Sequence, residues 1–134
     1  MFYLEIDEIL AIHDKVIEVS GGRPGVLDFT LLHSASERPK ATFGGKDLYV
    51  GVFNKATALI LSLIQNHPFS DGNKRTGFVT MSRFLYINGY NLTFKQSEAI
   101  NFVQNVQEKK YTFQKTSDWL KKHSKKLIRN FDSC

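Results

Sequence analysis

One short stretch near the middle of the sequence concentrates the side chains that phosphate chemistry requires. Residues 67–75 read HPFSDGNKR and bring together an imidazole, a carboxylate, a carboxamide and two cations. In phosphoryl transfer a base removes a hydroxyl proton, a carboxylate holds a divalent cation, and cations with backbone N–H groups neutralise phosphate oxygens. A hydrophobic core needs no such mixture, so this stretch is a candidate active site.

The flanking sequence predicts a helix on each side of the stretch. Apolar residues recur at helical spacing within 52–66 and again within 73–87. Pro68 disfavours helical geometry at His67, so the first helix should end there, and Gly72 permits backbone angles closed to other residues. The second helix then directs its N-terminus at the loop, where unpaired N–H groups and a partial positive charge attract phosphate.

Two cations begin that second helix, which conflicts with the usual charge preference of a helix N-terminus. Lys74 and Arg75 oppose the helix dipole and should destabilise the first turn. Their presence is understandable if an anion binds there, because functional sites are where local rules are broken.

Taken singly, the residues of the stretch have ordinary explanations. A lone histidine at a helix end is commonly a surface residue, and Asp71-Gly72 is a common turn signal. Phe69 is expected to anchor the loop in the core. A zinc site formed by His67 and Asp71 is disfavoured, because Pro68 and Gly72 interrupt the helix that would align them. The remaining histidines lie in separate segments of the sequence: His13, His33 and His123. The combination, rather than any single residue, is specific.

The stretch fits the signature H-x-F-x-[D/N]-[A/G]-N-K-R of the death-on-curing (Doc) branch of the Fic/Doc, or Fido, superfamily. Residues 13–28, 31–49 and 81–92 also resemble the family's N-terminal helix, flap region and post-motif helix. The resemblance covers about residues 2–122. It implies an all-α Fido-type helical bundle with a helix–loop–helix active-site elbow and a short flap. We assign the domain to residues 1–127 and expect residues 128–134 to form a disordered tail.

The resemblance also implies a role for each residue of the signature. His67 resembles the general base that deprotonates a hydroxyl of a target protein, and Asp71 resembles the acid that holds Mg²⁺ against the phosphates of ATP. The phosphate-binding positions implied in this way are Gly72, Asn73, Lys74 and Arg75. The flap positions implied to dock the target segment are Thr42, Phe43, Gly44 and Gly45.

Lys74 bears on which group is transferred. Adenylylating Fic enzymes read H-x-F-x-[D/E]-G-N-G-R-x-x-R, whereas this chain has Lys74 at the second glycine and Phe78 at the trailing arginine. In the Doc branch this change accompanies a reversed nucleotide, which implies phosphorylation of a Ser or Thr rather than AMP transfer. The acceptor suggested by the resemblance is a threonine of elongation factor Tu, whose modification halts translation. Adenylylation and a non-catalytic binding module remain the alternatives.

An internal inhibitory motif is absent from the sequence. Self-inhibited Fic proteins carry [S/T]-x-x-x-E-[G/N], and no glutamate of this chain has Ser or Thr four positions before it. The resemblance therefore implies control by an antitoxin in trans.

The composition limits the number of domains and the cellular location that we expect for the protein. With 134 residues and 42% hydrophobic content, the chain suits one globular domain. Its single cysteine, Cys134, allows no internal disulfide, and no signal peptide or membrane span is recognisable, so we expect a cytoplasmic protein. The net charge of +5 is concentrated toward 121–126, where we expect a solvated helix end rather than a nucleic-acid contact.

The remaining sequence completes a helical layout. Helices are predicted over 6–19, around 31–35, over 97–106 and over 116–127. Residues 40–50 should form a loop or small hairpin, and residues 91–94 should be extended.

Overall fold

The computed structural model describes residues 1–127 as a helical bundle built around one central helix. Six α-helices are present in this part of the chain: α1 Ile6–Ser20, α2 Phe29–Glu37, α3 Val52–Gln65, α4 Asn73–Ile87, α5 Gln96–Gln107 and α6 Phe113–Lys122. The predicted mostly helical fold is therefore confirmed. The prediction of a disordered tail over 128–134 lies outside the described residues.

Helix α3 is the centre of the bundle and packs against α4, α6, α2 and α5. It is buried around most of its circumference, which explains why its sequence is apolar on nearly every face. Gly77 of α4 permits the closest approach, because a Cβ at this position would lie 2.9 Å from Ile64 of α3. The bundle thus fixes α3 and α4, which flank residues 67–72, against each other.

Two small antiparallel sheets complete the fold. Strands β1 (Thr42–Phe43) and β2 (Lys46–Asp47) form a hairpin, as one of the two predicted possibilities for 40–50. Strand β3 (Tyr90–Leu92) begins just after α4, near the predicted extended segment. It pairs with β4 (Ser124–Lys126), with Asn91 opposite Lys125.

The prediction of a last helix over 116–127 is wrong at both ends. The Thr112 side chain accepts a hydrogen bond from the backbone of Lys115 at 3.1 Å, so α6 begins at Phe113. The helix ends at Lys122 and the chain becomes β4, because β3 offers backbone partners that the sequence does not reveal. Lys125 and Lys126 therefore lie on an exposed strand rather than at a solvated helix end.

No helix among residues 1–127 combines the length and apolar character that crossing a membrane would require.

Candidate active site

Residues 66–72 form a tight elbow between α3 and α4. Helix α3 ends at Gln65, and His67 follows with a φ of +48°, a left-handed conformation that is uncommon outside glycine. Gly72 then adopts φ +75° as the N-cap of α4. Phe69 lies between these two turns and is only 1% exposed. The elbow therefore reverses the chain around one buried aromatic ring.

The segment that connects α1 to α2 holds the elbow through its backbone. The carbonyl of Pro68 accepts hydrogen bonds from the N–H groups of Leu27 and Asp28, at 2.9 and 3.0 Å. The N–H of Ser70 donates to the carbonyl of Gly25 at 3.1 Å, and Val26 lies opposite Phe69 as an isolated antiparallel bridge. The loop is thus supported along its length by a short strand-like contact.

His13 is a second support that the sequence interpretation did not connect to this site. It is buried on α1, and its ring lies parallel to the Phe69 ring, with centroids 3.8 Å apart. Its Nε2 lies 2.8 Å from the carbonyl oxygen of Asp71, so Nε2 carries the proton and donates. The signal in the sequence was a histidine at a position of α1 where the helical pattern calls for an apolar residue.

Asn73 closes the elbow from inside. Its side-chain oxygen accepts a hydrogen bond from the N–H of Phe69, and its side-chain nitrogen donates to the carbonyl of Phe69, both at 3.0 Å. The resemblance implies that the Asn73 amide and the backbone N–H groups face phosphate; in this structure the amide oxygen and one amide N–H are engaged within the loop. The second side-chain N–H and the backbone N–H of Asn73 have no acceptor among residues 1–127, so both are available to a phosphate.

The carboxylate of Asp71 is exposed and is held beside the turn that follows α1. Its Oδ2 accepts a hydrogen bond from the backbone N–H of Arg23 at 3.1 Å. Gly22 allows this approach, because a Cβ there would lie 3.0 Å from the same oxygen and Gly22 has a φ of +109°. The other carboxylate oxygen has no hydrogen-bond partner among residues 1–127 and is available to a cation.

The imidazole of His67 is exposed, and neither ring nitrogen has a hydrogen-bond partner in the described part of the chain. A general base requires a nitrogen that a substrate proton can reach. The two other exposed or partly exposed histidines, His33 and His123, face carboxylates instead, at Glu37 and Glu98.

The first turn of α4 presents unpaired donors and no acid. The first backbone bond of this helix joins the N–H of Thr76 to the carbonyl of Gly72, which leaves the N–H groups of Asn73, Lys74 and Arg75 without acceptors among residues 1–127. This turn has no acidic side chain to compensate them. The end of the helix is therefore suited to an anion.

The two cations of the turn reach neighbouring helices. Lys74 Nζ lies 3.3 Å from Gln104 Oε1 on α5, and the guanidinium of Arg75 bonds to the hydroxyl of Ser20 at the end of α1. Neither cation pairs with a carboxylate in the described residues, so both charges remain available to phosphate. Arg75 also forms part of the wall of an open groove of about 290 Å³ between α1 and α4.

No group of three or more His, Cys, Asp or Glu side chains in residues 1–127 could hold a metal ion by itself. A Mg²⁺ site does not require such a group, because proteins commonly bind this ion through one or two carboxylates together with substrate phosphates and water. Asp71 is the carboxylate that the elbow offers, next to the donors that would bind those phosphates.

The residues that the resemblance implies as the flap form the β1–β2 hairpin. Gly44 and Gly45 form its tip with φ values of +60° and +78°, which suit a two-residue turn between twisted strands. The side chain of Phe43 is 82% exposed and that of Thr42 lies on the same exposed strand. The hairpin thus presents an apolar side chain and a strand edge to solvent.

Comparison with known proteins matches the part of the chain that contains the elbow. The model of the Fic/DOC family matches residues 3–85, which include α1 to α3 and most of α4. The chain is 41% identical to "Toxin Doc" of Mycolicibacterium smegmatis over 90 residues, which cover 67% of each protein. It is 28% identical to "Protein kinase doc" of Escherichia phage P1 over 89 residues, 66% of this chain and 70% of that protein. The chain therefore belongs to the Fic/DOC family.

Proposed function

We propose that this protein is a Doc-type toxin that transfers a phosphoryl group from ATP to a Ser or Thr hydroxyl of a protein target. The observation that carries the proposal is the elbow, where an unbonded His67 imidazole, the Asp71 carboxylate and the N-terminus of α4 occupy one short loop. The similarity to proteins named Toxin Doc and Protein kinase doc supports the same reaction class.

In this proposal the residues of the chain divide the reaction among them. His67 accepts the proton of the target hydroxyl at a ring nitrogen, while the hydroxyl oxygen forms a bond to the γ-phosphorus and the bond to ADP breaks. Lys74, Arg75 and the backbone N–H groups of the first turn of α4 stabilise the charge on the phosphate oxygens. Asp71 would hold Mg²⁺, which neutralises phosphate charge when bound.

The transferred group is assigned from Lys74. A glycine at this position characterises the adenylylating pattern, and a lysine adds a cation beside the phosphates. The contact of Lys74 Nζ with Gln104 directs the side chain toward α5. Adenylylation is the second candidate, because the remaining signature residues are common to both branches.

Two further parts of the proposal concern partners. The target we propose is elongation factor Tu, and the controlling partner is an antitoxin in trans, in a cytoplasmic setting. The groove between α1 and α4 supports the second part, because a partner segment seated there would contact Arg75 directly.

The test is an incubation of the purified protein with elongation factor Tu and Mg²⁺-ATP, followed by intact mass spectrometry. The proposal predicts a gain of one phosphoryl group that His67→Ala lowers by about 10²–10⁴-fold. His33→Ala is the matched control, since His33 is an exposed histidine on α2. A gain of one AMP would establish the second candidate, and no modification of any protein in a whole lysate would refute transferase activity.

A further inference from the structure

A buried lysine outside the signature contacts the β1–β2 hairpin, which the resemblance implies as the flap. Lys55 lies on α3 and is 2% exposed, which is unusual for a lysine, since this residue type is almost never buried without a partner. The family signature and the proposed chemistry give it no role.

The partners of the Lys55 ammonium belong to the hairpin, to the segment before it and to the N-terminal segment. Nζ donates to the carbonyl of Pro39, three residues before β1, at 3.0 Å, and lies 3.2 Å from Oδ2 of Asp47, the last residue of β2. The ammonium also lies over the Tyr3 ring, with Nζ 5.7 Å from the ring centroid. One buried cation therefore joins the last residue of the hairpin to the segment that precedes it.

The hairpin has few other restraints. Both strands are two residues long and exposed, and the ladder is extended at its base by the bond from the N–H of Leu48 to the carbonyl of Ala41 at 2.9 Å. A hairpin of this size is not stable by itself in water. Its orientation must therefore come from contacts at its base.

Helix α3 connects this anchor to the catalytic elbow. Lys55 lies near the start of the helix, and His67 comes two residues after its last residue, Gln65. Because the helix is rigid and buried, a flap fixed to Lys55 is also fixed in its direction relative to His67.

We propose that Lys55 is a positioning residue that fixes the flap for docking of the protein target, through its bonds to Asp47 and Pro39. This inference rests on the proposed function for the role of the flap. It does not require Lys55 to touch target, nucleotide or reacting atoms. The ion pair is half-buried, since the side chain of Asp47 is 55% exposed, so a change at Lys55 leaves the carboxylate in solvent without a large penalty.

The test compares Lys55→Met with Lys40→Met. Methionine keeps the length and apolar stem of Lys55 and removes the ammonium. Lys40 is the control because its Nζ lies 5.5 Å from the same Tyr3 ring, while its ion pair is with Glu37 rather than with the hairpin. Asp47→Ala removes the same ion pair from its exposed side and serves if Lys55→Met does not fold.

The first readout is hydrogen–deuterium exchange and needs no activity. Lys55→Met and Asp47→Ala should raise the exchange rate of amides in residues 42–48 by about tenfold, while those of α3 and α4 stay unchanged. Lys40→Met should leave the hairpin amides as they are. Equal exchange in the hairpin of the wild type and of both test variants would overturn the inference.

The second readout separates docking from chemistry. The KM for the protein target should rise roughly threefold to tenfold in Lys55→Met, with kcat and nucleotide affinity close to those of the wild type. Faster exchange in the hairpin with an unchanged KM would overturn the docking role. If the wild type transfers nothing to any target, the proposed function fails, while the exchange experiment still decides whether Lys55 holds the flap.

Discussion

Replacing His13 by phenylalanine should loosen the elbow without emptying the core around it. Phenylalanine can keep the parallel contact with Phe69, whose centroid separation is 3.8 Å, and it removes the Nε2–H that donates to Asp71 at 2.8 Å. A neutral hydrogen bond of this kind contributes about 0.5–1.5 kcal/mol to folding. The Asp71 backbone belongs to an exposed residue and can regain water, which favours the lower part of that range. For a domain of this size a loss of about 0.5–1 kcal/mol corresponds to a fall in Tm of about 2–4 °C.

The catalytic effect of His13→Phe should exceed its effect on stability. The lost bond fixes the backbone of the proposed Mg²⁺ ligand, and a displacement of about 1 Å at a reacting site can cost 10²-fold in rate. We therefore expect phosphoryl transfer to fall by about tenfold or more and the Mg²⁺ concentration required for nucleotide binding to rise. Thermal unfolding measures the loss of stability, and calorimetric titration with Mg²⁺-nucleotide measures the loss of Mg²⁺-dependent binding.

Two further variants define the controls for His13. His33→Phe changes an exposed histidine of α2 and should leave both measurements unchanged. His13→Ala also removes the ring contact with Phe69, and the cavity at this 2% exposed position should cost about 2–4 kcal/mol. The reasoning is refuted if His13→Phe unfolds at the wild-type temperature and binds Mg²⁺-nucleotide as the wild type does.

Three other predictions concern charged groups. Asp71→Ala should weaken nucleotide binding in Mg²⁺ and have little effect in EDTA; titrations that respond equally in both would argue against a metal role. Lys74→Gly should lower phosphoryl transfer and permit AMP transfer, which isotope labels at the α- and γ-phosphates of ATP distinguish; an unchanged γ-label would exclude Lys74 from donor orientation. The pKa of the Glu98 carboxyl lies below its ordinary value of 4.5, first because the backbone N–H of Lys95 donates a hydrogen bond to it and second because of its hydrogen bond with the His123 ring. Its stabilising effect is therefore present above pH 4.5 and lost as the pH falls below that value, so Glu98→Gln should reduce the acid-induced decrease in unfolding free energy measured in urea.

The sequence by itself determined which residues form the candidate active site and which two helices flank it. Hydrophobic spacing predicted α3 and α4 closely, because both helices are long and bury regular apolar faces. Pro68 and Gly72 predicted the elbow between them, since the constraints that these residues place on the backbone are local. The resemblance to the Fic/Doc family rests on side chains of that same loop and was equally accessible.

Only the tertiary structure decided which distant residues support the loop. His13 and Arg23 contact Asp71 across 58 and 48 positions, and Lys55 reaches Asp47 through the packing of α3 on the segment before the hairpin. No local pattern encodes such pairs. The same limit explains why the last helix was wrongly predicted to continue to residue 127, since β4 forms there because β3 lies beside it. The residues proposed for phosphoryl transfer are neighbours in the sequence, whereas the contacts that position them join segments far apart in the chain.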